Sequence, residues 1–152
     1  MAQIGRVEAQ TEVKSSAEKI FGFYKNHMKL LAQMFPQDIK SIEIVGGGDQ
    51  ITTGTVMHWK FDLGVPMVVK SKNEAVDEKN KSMSFDMVEG DMLKTYSSFK
   101  SKLEVVENEN GGCIVKCTLD FEKADEGAPN PDAYAHFGLK MAKGIDAYLN
   151  KK

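Results

Sequence analysis

A single change of period divides this chain. From Ile39 to Glu122 apolar and polar residues alternate in short runs broken by Gly, Asn and Asp; beyond Pro131 the apolar residues fall at steps of three and four. Alternation with period two marks half-buried strands, and steps of three and four mark a helix with one apolar stripe. Hairpin-linked strands with one apolar face must bury that face, and the terminal helix must bury its stripe. A sheet curled around the helix satisfies both.

The same pattern sets the elements. Residues 4–13 (IGRVEAQTEV) put Val7, Ala9, Thr11 and Val13 on one face and Arg6, Glu8, Gln10 and Glu12 on the other, which predicts a strand. Ser15 or Ser16 can cap the next helix, with Glu18 spaced from Ser15 as in a capping box. Its stripe is Ile20, Phe21 and Tyr24. A second short helix is expected over 29–34, stopped near Pro36. Strands are expected over 39–45, 53–61, 65–75, 83–87, 99–105 and 113–122, with turns at Leu63-Gly64, 77–80, 89–91 and the NENGG run of 108–112. Pro131 suits the first turn of a closing helix of about 18 residues. There is no repeat or linker, and 152 residues favour one domain, 1–152.

One helix does not fill a seven-stranded curl, and the remainder is expected to be a cavity. Alternation aims Met57, Trp59, Phe61, Met83, Phe85, Met87, Phe99, Ser101, Leu103, Cys117, Leu119 and Phe121 inward. Tyr134, Phe137, Gly138 and Met141 face them from the helix, and the glycine leaves room for a ligand. Nine methionines suit a lining that repacks around varied apolar molecules, although they also serve as plain core filler.

The stretch Val45 to Gly54, VGGGDQITTG, invites a phosphate-cradle reading. A dinucleotide fingerprint needs a helix directly after the glycines, and a P-loop needs a lysine. Here an alternating strand follows, so the glycines are expected to serve a hairpin connection that needs positive φ angles.

A net charge of −2, with 28% charged and 41% hydrophobic residues, argues against nucleic acid or an anionic membrane as partner. No apolar run reaches the roughly 18 residues of a membrane helix, so no membrane insertion is expected. The polar N-terminus differs from a secretory signal, and a cytoplasmic location is expected. Cys113 and Cys117 on one strand would be roughly 13 Å apart, too far for a disulfide. Neither these cysteines nor His27, His58 and His136 have partners at metal-binding spacing, so no metal is expected.

Several strings in a fixed order carry a resemblance: VEAQTEVKSSAEKIF, FPQDIKSIEIVGGGD, AVDEKNKSMSFDMVEGDMLKTYSSFKSKLEVV, GGCIVKCTLDFEKADE and the terminal PNPDAY…GIDAYL. Over about residues 4–150 the chain resembles the plant major latex proteins, a branch of the birch pollen allergen and pathogenesis-related superfamily. The resemblance implies the START-like helix-grip fold, an α+β architecture. In it a seven-stranded antiparallel sheet wraps a long C-terminal helix, two short helices follow the first strand, and a hydrophobic cavity lies inside. It also implies binding of a small hydrophobic metabolite, in defence or specialised metabolism, by a monomer or weak dimer without a cofactor. An alternative implied by enzymatic relatives is a cofactor-free cyclase or isomerase, such as a nepetalactol-forming iridoid cyclase acting on a reactive monoterpenoid enol.

Alternation leaves little acid–base chemistry in the cavity. Lys100, Lys102, Lys116, Asp120 and Glu122 point outward, so the imine chemistry of norcoclaurine synthases has no visible lysine. The remaining polar candidates are Tyr24, Tyr96, Ser101, Tyr134 and His136. Tyr134 lies in the helical stripe and is the one expected to present a hydroxyl to a ligand or substrate. His136 is about 200° away around the helix and is expected in solvent. Cys117 reads as an inert buried thiol.

Overall fold

Every alternating run becomes a strand, and every neighbouring pair is antiparallel. The computed structural model describes residues 3–151. Strands β1 (Gln3–Val13), β2 (Ile39–Ile44), β3 (Val56–Asp62), β4 (Pro66–Asp77), β5 (Ser82–Gly90), β6 (Tyr96–Glu107) and β7 (Cys113–Lys123) form a seven-stranded sheet in the order β1-β7-β6-β5-β4-β3-β2. Strands β2 to β7 each pair with their neighbours in sequence. β1 pairs with β7 from Gln3 opposite Lys123 to Val13 opposite Cys113, which carries the first strand to the far edge.

Among the described residues the remaining elements are the helices α1 (Ala17–His27), α2 (Leu31–Met34), α3 (Met92–Thr95) and α4 (Asp132–Leu149), with a 3-10 turn at Met28–Leu30. Ser16 caps α1, accepting from the Lys19 amide at 3.3 Å. Ser15 is occupied elsewhere: its hydroxyl donates to Asp146 of α4 at 2.7 Å, so the box with Glu18 does not form. The short α3 follows the turn expected at 89–91, in a stretch where the sequence reading places no helix. Asp91 holds it in place by accepting from the Val68 amide at 2.7 Å. Pro131 sits at the N-cap of α4, one residue outside its first turn.

The interior divides along α4. Its C-terminal half, with Ala142 and Ile145, packs into a cluster with α1 and includes Ile20, Phe21 and Val105. Its N-terminal half joins Phe61, Val69, Phe99 and Leu119 through Ala135 and Tyr134. Gly144 lets the Phe35 ring close on the helix; a Cβ there would lie 2.4 Å from that ring. Phe35 in turn meets Phe137 edge-on at 6.1 Å.

The glycine-rich connection between β2 and β3 has positive φ at Gly46, Gly47 and Gly48 (+89°, +86° and +85°), a region that other residues rarely adopt. Ile51 anchors it in the core, and its amide donates to the Lys25 carbonyl at 2.7 Å. Lys29 pairs with Asp49 at 3.0 Å. The loop is thus strapped to the end of α1, and the element that follows it is a strand.

Candidate functional site: an apolar cavity between sheet and helix

Between the sheet and the N-terminal half of α4 lies a cavity of about 180 Å³, measured as the space open to the centre of a water molecule. Met57, Trp59 and Phe61 of β3 form one wall, and Phe85 and Met87 of β5 another. Phe99, Ser101 and Leu103 enter from β6, and Cys117 and Leu119 from β7. Tyr134, Phe137, Gly138 and Met141 close the space from α4. Period-two and helical spacing therefore bring these side chains together, because unbroken strands keep alternate residues on one face.

Two inward residues do not reach the cavity. Met83, read from the sequence as a ligand contact, is 1% exposed and belongs to the packed cluster of α1 and the C-terminal half of α4. Alternation gives its face correctly, but the helices fill that end of the curl. Phe121 is 5% exposed and meets Tyr96 edge-on at 5.7 Å, its ring lying over Gly5, where a Cβ would be 2.6 Å away.

Other wall residues escape the sequence reading. Met28, Leu63 and Met92 come from turns and short helices, where no period applies. Val69 and Ser71 come from β4, whose pairing with β5 shifts register at Lys70/Ser71 and again at Asn73/Ala75. Such shifts break alternation. Lys102 also touches the cavity, between Ser101 and Leu103, although the residue is exposed; expecting it to lie wholly outside was too simple.

The polar candidates separate cleanly. Tyr134 lies on the wall, edge-on to Phe61 at 6.1 Å and Phe99 at 5.9 Å, and its hydroxyl donates to the Met67 sulfur at 3.0 Å. Burial raises its pKa, so it remains a protonated donor. Tyr24 is also on the wall; burial raises its pKa, and nearby Cys117 and Cys113 add to the effect. Tyr96 has a structural bond instead, donating to the Pro129 carbonyl at 2.8 Å. His136 and His27 are exposed, and His58 lies on β3 outside the cavity wall. Burial pushes the Cys117 thiol up to about 11, so it stays protonated at neutral pH. Among the described residues no group of three or more His, Cys, Asp or Glu is placed to hold a metal ion.

The wall therefore offers apolar area, worth about 25 cal/mol per Å² buried, and a few hydroxyls that can orient what is bound. Among the described residues no helix is long and apolar enough to cross a membrane.

A curled antiparallel sheet gripping a terminal helix over such a space defines a helix-grip protein, a fold that takes hydrophobic ligands. Residues 2–152 match the Pathogenesis-related protein Bet v 1 family, and the chain belongs to that family, among its major latex-like members. MLP-like protein 423 of Arabidopsis thaliana is 34% identical over 154 residues, covering 100% of this chain and 98% of the relative. Major latex protein 146 of Papaver somniferum is 32% identical over 148 residues, covering 96% and 91%. The crystal structure of major latex-like protein 151 from Panax ginseng superposes with a TM-score of 0.86 at 25% identity, over 95% of this chain and 97% of the other. Truncated norcoclaurine synthase from Thalictrum flavum shares the fold, with a TM-score of 0.78 at 21% identity over 99% and 96%.

Proposed function

We propose that this protein binds a small hydrophobic plant metabolite inside the cavity, as a carrier or sensor in defence or specialised metabolism. The observation that carries this reading is the wall itself: aromatic and methionine side chains surround open space, and α4 presents Gly138 to it. In this reading the binding unit is a cytoplasmic monomer or weak dimer. Titration with 8-anilinonaphthalene-1-sulfonate tests it. Saturable binding near one equivalent, displaced by a small terpenoid, is the expected result; absence of binding at solubility-limited concentrations would refute it.

A second reading is a cofactor-free cyclase or isomerase, in the manner of a nepetalactol-forming enzyme acting on a reactive monoterpenoid enol. Tyr134 favours it. The only hydrogen-bond partner of its hydroxyl among the described residues is a thioether, a weak acceptor, so the proton is available to a substrate carbonyl. The apolar wall would hold a flexible substrate in one near-attack shape, and the hydroxyl would stabilise developing negative charge on oxygen. Stereoisomer ratios of a spontaneously cyclising dialdehyde decide between the readings. An enzyme shifts the ratio at sub-stoichiometric protein and loses about tenfold or more in rate in Tyr134→Phe. A ratio that changes only in proportion to added protein would leave the carrier.

A further inference from the structure

We infer that the cavity's ligand carries a neutral hydrogen-bonding group, a hydroxyl or carbonyl, which docks on β4 at Ser71 and Asn73. This inference rests on the binding reading above and specifies the ligand's chemistry. Ser71 is 2% exposed and Asn73 is 0% exposed. The Ser71 hydroxyl and both side-chain amide atoms of Asn73 are buried with no hydrogen-bond partner among the described residues.

Their placement ties them to the cavity. Ser71 is on its wall, opposite Met57 of β3 and Met87 of β5, which are also on the wall. Asn73 follows two residues on and pairs with Phe85, a wall residue, but does not itself line the open space; it lies next to the wall at Ser71. No register shift falls between Ser71 and Asn73, so the two side chains share the inner face.

The fold gives no reason for this pair. The Asn73 backbone is satisfied, its amide donating to the Thr55 carbonyl at 2.7 Å and its carbonyl accepting from Gly54 at 2.8 Å. An aliphatic residue would make the same backbone bonds and suit a strand better. Buried polar groups without partners are unfavourable, and they persist where something else satisfies them. A ligand hydroxyl or carbonyl does so. It accepts from the Ser71 hydroxyl or the Asn73 amide nitrogen, and a hydroxyl also donates to the Asn73 carbonyl oxygen. A carboxylate is disfavoured: Lys102, the one charged residue touching the cavity among those described, is exposed to solvent.

The site is distinct from Tyr134. That hydroxyl bonds Met67, four residues before Ser71 and roughly 13 Å away along the strand. A ligand with its polar group at Ser71 therefore lays its apolar body between β3, β5 and α4.

Limonene and perillyl alcohol share one carbon skeleton and differ by a hydroxyl, which makes them the probes. Each displaces 8-anilinonaphthalene-1-sulfonate from the wild type, Ser71→Ala and Asn73→Leu. Both substitutions are expected to weaken the alcohol about tenfold relative to limonene, the equivalent of about 1.4 kcal/mol. Thermal stability should hold or rise, since an unpartnered group is removed. An unchanged ratio in both variants overturns the inference while leaving cavity binding intact. A lower melting temperature with an unchanged ratio also overturns it and assigns the groups to a structural water. Failure of both probes to displace the dye from the wild type sinks the binding reading and this inference together.

Discussion

Ala142 and Ile145, on the C-terminal half of α4, are 0% exposed within a packed cluster, whereas Tyr134, Phe137 and Gly138 on its N-terminal half, with Met141 just past the midpoint, border open space. One amphipathic stripe serves both halves, so the helix does not make the difference. The surroundings do. At the C-terminal end α1 lays Ile20, Phe21 and Phe23 into the curl, and Phe23 meets Tyr148 edge-on at 5.7 Å. Toward the N-terminal end α1 adds Tyr24 alone to the cavity wall among the described residues, and α3 adds Met92. The end with α1 is filled, whereas the other keeps room for a ligand beside its own buried cluster of Phe61, Val69, Phe99 and Leu119.

The largest effect on stability is expected from Ile145→Ala at the packed end. Deleting a fully buried aliphatic side chain there should cost about 3 kcal/mol and lower the melting temperature by about 6–12 °C. Binding of a lipophilic probe to the folded variant should match the wild type. Weakened binding below the transition temperature would mean that the two halves of α4 are coupled rather than separate.

A smaller effect attaches to the clamp at the same end. Asp146 accepts from the Ser15 amide at 2.8 Å, the Ser15 hydroxyl at 2.7 Å and the Lys14 amide at 3.1 Å, tying the end of β1 to α4. Burial pushes this carboxyl up, but the hydrogen bonds from Ser15, Lys14 and Asn150 outweigh it and hold the pKa below 3.8. A pKa lower in the folded chain than in the unfolded one stabilises the fold above the unfolded value, and that stability is lost as pH falls through the folded value. Asp146→Ala should therefore cost about 1–2 kcal/mol at pH 7. In urea titrations the gap from wild type should close as the pH drops below 3.8. A gap of constant size down to pH ~2 would show that the hydrogen bonds do not depend on the ionised form.

Much of this architecture was legible because its signals are periodic. Met57, Trp59 and Phe61 alternate without interruption, and so do the β6 and β7 residues of the wall, so their faces follow from spacing alone. The helical stripe through Tyr134, Phe137, Gly138 and Met141 is equally plain. What escaped is what periodicity cannot carry. The shifts in β4 scramble its faces, and Ser71 and Asn73 are polar residues buried against expectation. Met83 shows the other limit: a strand pattern tells which way a side chain points but not whether a helix waits there to fill the space. Ser15 was an equally good cap by sequence, and only the fold brings Asp146 close enough to claim it.

The most direct measurement of the division between a packed end and an open end uses Gly138→Leu. A Cβ at this position would lie 3.4 Å from the Cys117 sulfur and 3.7 Å from its Cβ, ordinary or slightly tight contacts, so the first carbon fits. The rest of a leucine must enter the cavity. Replacing a mid-helix glycine also favours the helix by about 0.8 kcal/mol. The expected result is a variant as stable as the wild type or slightly more so, with lipophilic-probe affinity reduced at least about tenfold. Equal affinity in a folded Gly138→Leu protein would contradict the account, because the ligand would then be binding somewhere other than beneath α4.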